Sequence, residues 1–165
     1  MSNSLKIGPD LEAAICSWLN NLKEIKRYSK HTIKSYLTDL YYFLNFMQTH
    51  IGNVIDLNVV KDLDIRDFRS YLAQRYSTKH KATSNARAIS VLRSFYRFIK
   101  KHYNIENKAV MVIKQIKLNK PLPKALGIDA TIGASLVFSK IIGGWPGIRD
   151  KAIFLLLYGC GLRIS

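Results

Sequence analysis

The side chains best equipped for chemistry in this sequence are cations, and they are concentrated in one stretch. Between residues 74 and 120, twelve lysines and arginines stand against a single acid, Glu106, in a chain of 165 residues whose net charge is +15. Solubility alone does not require charge to be gathered in this way. A patch of this kind attracts polyanions by releasing their condensed counterions. Projected at about 100° per residue, Ala86, Ser90, Arg93, Arg97 and Lys101 share one side of a helix, well rotated from its apolar side. A second group, Lys30, Lys34, Thr38, Tyr41 and Asn45, falls on one polar, basic side of an earlier helix. Small residues at the start of the first group let backbone approach a phosphate wall, and the arginines bring charge. These two faces are the candidate nucleic-acid contacts. For Arg93 and Arg97 an ordinary solvated face is the alternative, and for Tyr41 it is packing at a helix junction.

Other chemistry has little support. Cys16 and Cys160 lie far apart in apolar helical contexts, so neither a disulfide framework nor a metal site is expected, and a reduced, cytoplasmic compartment fits. His31, His50, His80 and His102 read as surface or helix-end residues. The first ten residues hold no apolar signal region. The longest apolar run, 152–158, is far shorter than the stretch of about 20 residues that a membrane span needs, so no membrane partner is expected. Gly159-x-Gly161 could open a phosphate-cradling loop, but one such pair carries little weight by itself.

The elements that must position the cations are helical throughout. Asp10 can cap a first helix buried through Leu11, Ile15, Trp18, Leu19, Leu22 and Ile25. Ser29 can cap a second, reaching about His50 and ended by Gly52. A connection over 53–63 leads to Asp64, which can open a third helix to about Tyr76. A fourth covers about 83–103, buried through Ala88, Leu92, Phe95 and Ile99, and a short fifth covers about 108–116. Prolines 121 and 123 in a charged segment predict an extended linker at 117–125. A new helical unit starts near Asp129 and is broken by Gly143, Gly144, Pro146 and Gly147. An apolar helix over 149–158 then follows, ended by Gly159 and Gly161. Ile153, Phe154, Leu156 and Leu157 in that helix need cover or remain exposed. The fold class expected is all-α, with domains at 1–116 and 126–165.

Three segments carry a resemblance. Residues 28–40 have a Ser29-x-x-Thr32 start followed by Tyr36 and then Asp39-Leu40. Residues 86–99 contain Arg87-x-Ile89-Ser90-x-Leu92-Arg93-Ser94-Phe95-Tyr96. Residues 121–126 are followed by 149–165, which carry Gly161-Leu162-Arg163. In this order and spacing the chain resembles the Xer and phage-integrase family of tyrosine recombinases.

The resemblance implies a four-to-five-helix SAM-like core-binding bundle, followed by a helical fragment of a catalytic domain that stops just after its first arginine. Arg163 then matches the arginine that binds the scissile phosphate. Lys34, Thr38, Tyr41, Arg87, Ser90, Arg93 and Arg97 match positions facing duplex DNA, mostly its phosphates. The family's reaction passes through a 3′-phosphotyrosine and consumes neither metal nor cofactor. It proceeds in a tetramer, so double-stranded DNA and a second recombinase protomer are the implied partners, with no small-molecule ligand. None of the nine tyrosines stands in a nucleophile's context, and the chain alone is expected not to cleave. A non-catalytic DNA-binding module from a decayed recombinase gene and an unrelated helical RNA-binding protein are the rival readings. A-form RNA hides the major groove that the fourth helix would need.

Overall fold

Capping chemistry sets the helix boundaries in the computed structural model, which describes residues 5–114, 127–137 and 142–162. Helix α1, Pro9–Asn20, starts from Gly8 with Pro9 in its first turn, where a missing N–H is harmless. Asp10, expected to cap this helix, instead accepts a hydrogen bond from the Leu57 amide at 3.0 Å. That amide belongs to α3, Leu57–Asp62, whose own cap, Asp56, takes the Val59 amide at 2.8 Å. Helix α3 lies inside what the sequence offers only as a connection, because six residues are too few to show a period.

Helix α1 runs into a π-helical turn, Asn21–Ile25. The wider turn shifts the buried stripe, so Leu22 is fully buried while Ile25, expected inside, is 73% exposed. Helix α2, Lys30–Ile51, begins where Ser29 accepts the Thr32 amide and ends at Gly52, whose φ of 82° is the left-handed conformation suited to glycine. Asp64 and Asp67 form a capping box at the start of α4, Ile65–Ser77. Helix α5, Ala82–Tyr103, is the fourth helix of the sequence reading, and α6 covers only Ala109–Val112.

Helices α1, α2, α4, α5 and α6 pack around an aromatic core. Phe43 stacks on Phe68 and meets Tyr71 edge-on, while Trp18 meets Phe95 at a ring separation of 5.5 Å. Asn107 is an internal tie: its amide nitrogen donates to the Lys61 and Leu63 carbonyls at 2.9 and 2.8 Å, holding the α3–α4 junction. Among the described residues the fold is all-α, and its one bridge of β type pairs Ile7 with Ile55. Gly8 is required beside that bridge, since a Cβ there would come within 2.9 Å of the Asp56 Cβ.

By its internal packing the chain divides into two compact units, Met1–Asn119 and Lys120–Ser165. The linker expected at 117–125 lies outside the described residues. In the second unit α7, Ile128–Val137, packs on α8, Gly144–Cys160. Helix α8 begins inside the glycine–proline cluster rather than after it, because Pro146 is compatible with a first helical turn. It ends at Gly161, with φ of 61°, so Gly159, expected to help end it, is helical. Of the apolar side chains that needed cover, Ile153 and Leu156 are exposed, and Phe154 and Leu157 are partly buried.

Candidate nucleic-acid interface

On α2 the five residues of the expected polar side, Lys30, Lys34, Thr38, Tyr41 and Asn45, are all exposed. The Thr38 hydroxyl donates to the Lys34 carbonyl at 2.8 Å, a local bond that leaves its oxygen able to accept. The opposite side of the same helix buries Leu40, Phe43, Leu44 and Met47, which fixes the rotation of the polar face.

The α5 face is more mixed than its projection suggests. Arg97 and Lys101 are exposed, Ser90 is half-buried with its hydroxyl donating to the Ala86 carbonyl, and Ala86 is itself buried. Ala86 therefore contributes packing at the start of the helix. Arg93 is half-buried: its Nη2 donates to the Ile113 carbonyl beyond α6, and its Nε is enclosed with no hydrogen-bond partner among the described residues. The guanidinium thus braces the chain where it leaves α6, a role its helical projection gives no hint of.

Between the two faces lies a polar network that sequence patterning does not reveal. Asp39, Arg75 and Asn85 are buried in a largely apolar and aromatic core. The Arg75 guanidinium donates to Asn85 Oδ1 at 2.9 Å and to the Tyr71 hydroxyl at 3.1 Å, and its Nη1 stands 3.7 Å from Asp39 Oδ1. On the solvent side Arg87 Nε donates to Asp39 Oδ2 at 2.7 Å. One carboxylate of α2 thereby faces cations from α4 and α5 and fixes the register of the three helices. The Asp39 hydrogen bond raises the Arg87 pKa above its ordinary value, against a lesser lowering by burial. Burial raises the Tyr71 pKa, with Arg75 opposing, and burial likewise raises that of Tyr36. The one signal that could have pointed here is that Asp39 sits among apolar neighbours at a buried position of the α2 repeat.

Of the ten residues singled out from sequence, the structure brings nine into the first unit, and Arg163 lies outside the described residues. Cys16 and Cys160 are free and exposed. No described helix is long and apolar enough to cross a membrane.

A helical bundle with basic faces on two helices packed against each other defines a class, and comparison with known proteins specifies it. Residues 15–102 match the phage integrase N-terminal SAM-like domain. Over 157 residues the chain is 38% identical to the tyrosine recombinase XerC of Rickettsia bellii (strain OSU 85-389), covering 94% of this chain and 51% of that protein. It is equally similar, at 38% and the same coverage, to the tyrosine recombinase XerC of Rickettsia conorii, and 37% identical to that of Rickettsia massiliae. The chain belongs to the phage integrase family, in its Xer-type tyrosine recombinase branch. It spans about half the length of the curated relatives it matches. No solved structure matches it significantly.

Proposed function

We propose that this chain is the DNA-binding portion of a Xer-type tyrosine recombinase, contacting duplex DNA through the exposed faces of α2 and α5. The observation that carries the reading is the row of exposed Lys30, Lys34, Thr38 and Tyr41 on α2, linked through Asp39 and Arg87 to the α5 face bearing Arg97 and Lys101. Ammonium and guanidinium groups on such faces displace counterions from phosphates, and the hydroxyls of Thr38 and Tyr41 add directional hydrogen bonds. With Nε held by Asp39, Arg87 is preset in one orientation on the surface, which lowers the entropy lost when its outer edge meets a phosphate.

The whole enzyme's reaction belongs to the same proposal. A tyrosine hydroxyl attacks a DNA phosphodiester, a 3′-phosphotyrosine forms and a 5′-hydroxyl leaves, and a second strand reverses the step. Arg163 takes the place of the first guanidinium that stabilises charge gathering on the non-bridging oxygens. The setting is site-specific recombination, as in chromosome-dimer resolution or DNA integration, through a tetramer containing a second recombinase protomer in the cytoplasm.

The test is fluorescence anisotropy on a duplex of about 30 base pairs over a salt series. Five cations on these faces, Lys30, Lys34, Arg87, Arg97 and Lys101, predict a slope of log affinity against log salt of about −4.5, or a loss of about 500-fold between 50 and 200 mM. Lys34→Ala and Arg97→Ala each reduce the slope by about 1. A slope near zero, or tighter binding to duplex RNA of the same length, contradicts the reading.

A further inference from the structure

One cleft in the first unit adjoins the α5 face and reaches beyond it. It has a volume of about 480 Å³ and opens between the π-helical turn, the start of α2 and the C-terminal half of α5. Its walls are aromatic: Trp18 stacks toward Tyr36, Tyr28 meets Tyr36 edge-on at 5.7 Å, and Phe98 packs against His102. Its basic groups are Lys26, Arg97, Lys101 and His102, and no aspartate or glutamate lines it. The ion pairs among the described residues involve none of Lys26, Arg97 and Lys101. The Ser94 hydroxyl, which accepts from the Trp18 indole at 3.4 Å, also lines it and brings a polar group among the rings.

Backbone geometry brings Lys26 to this place. The Lys26 amide donates to the Asn21 carbonyl at 3.1 Å and the Tyr28 amide to that of Leu22 at 3.0 Å, so the chain reverses tightly between them. Arg27 takes a φ of 50°, a left-handed conformation that costs a side-chain-bearing residue energy. The result puts Lys26 and Tyr28 on the same cleft while Arg27, between them, does not line it. A π-turn and a left-handed arginine side by side are local costs of the kind that accumulate where a surface has work to do.

We infer that this cleft is a phosphate subsite, in which Lys26 joins Arg97 and Lys101 to hold a sugar–phosphate segment of the same duplex that α2 and α5 face. The inference rests on the proposed function and deepens it. Arg97 and Lys101 belong to both surfaces, so a backbone following the α5 face reaches the cleft directly, and Lys26 adds a cation from a separate element. The aromatic walls suit the apolar faces of deoxyribose, and the absence of carboxylates leaves the positive potential unopposed.

Lys26→Ala and Lys23→Ala in the full chain test it. Both remove one positive charge from the same turn, but Lys23 is already paired with Glu24 at 2.9 Å and does not line the cleft. In the duplex salt series, Lys26→Ala weakens binding several-fold and lowers the slope by about 1, Lys26→Arg restores it, and Lys23→Ala leaves the slope unchanged. Circular dichroism confirms the fold of each variant. A wild-type chain that binds with a slope of about −4.5, the value the five α2 and α5 cations give without Lys26, while Lys26→Ala behaves as Lys23→Ala, overturns the subsite and spares the α2 and α5 interface. A wild-type chain without salt-dependent binding removes both.

Discussion

Replacing Asp39 by asparagine tests the polar network with almost no change of shape. The carboxylate faces Arg75, whose side chain is 5% exposed, and Arg87, whose side chain is 46% exposed, so the two cations should respond differently. Arg87 can turn to water when the charge is lost. Arg75 cannot. Breaking a buried pair from one side costs about 3–5 kcal/mol, because the remaining charge is left uncompensated. Here the separation from Asp39 is 3.7 Å, and the guanidinium keeps Asn85, Tyr71 and the Ser84 carbonyl. The cost therefore falls to the bottom of that range or just under it, about 2–3 kcal/mol. With a urea dependence of about 1–3 kcal/mol per molar, the unfolding midpoint falls by about 1–3 M. Trp18 fluorescence in a Trp145→Phe background reports this unit alone. Arg87→Ala, which removes only the exposed partner, costs under about 1 kcal/mol. If Asp39→Asn destabilises no more than Arg87→Ala, Asp39 is not the counter-charge that keeps Arg75 in the core, and the register argument fails.

Burial raises the pKa of Tyr96 well above 10.0 and that of Tyr71 and Tyr36 above it, so the fold holds the neutral phenols. Their contribution is complete below the ordinary tyrosine value and is lost as pH rises past it. Unfolding therefore sets in above about pH 10, with tyrosinate absorbance and loss of helix changing together; full ionisation of all nine tyrosines with helix retained would contradict this. Gly8→Ala places a Cβ 2.6 Å from Asp10 Oδ1 and 2.9 Å from the Asp56 Cβ, and is expected to destabilise by about 1–3 kcal/mol in urea melts. At Gly52, where nothing lies within 4 Å, Gly52→Ala meets only the left-handed backbone, a cost of about 1–2 kcal/mol. A neutral Gly8→Ala would mean that the N-terminal segment does not press on Asp56 in solution.

Local signals were legible in the sequence where the chemistry is local. Ser29, Gly52 and Asp64 mark their helix ends because each bond they make is within a few residues. The α2 face was readable for the same reason, since five polar side chains at helical spacing need no partner to define a side. Asp10 departs from its expected cap because its bond reaches across to Leu57, a contact no spacing rule displays. Ile25 lies outside because a single π-turn shifts the period that would place it inside. The buried Asp39, Arg75 and Asn85 come from three helices, and only their packing shows that a charge is met by its counter-charge. Arg93 combines both cases: its projection is that of a surface cation, while its guanidinium reaches back to Ile113.

The central claim, that α2 and α5 carry the DNA interface, is tested most directly by amide spectra of the isotope-labelled chain with and without duplex DNA. Perturbations are predicted to gather at Lys30, Lys34, Thr38, Tyr41, Arg97 and Lys101. Arg66 and Arg69 are the internal comparison, being exposed cations on α4 and so on neither of the two proposed helices. Their amides are predicted to stay in place throughout the titration. Shifts at Arg66 and Arg69 equal to or larger than those on α2 and α5 would contradict the account.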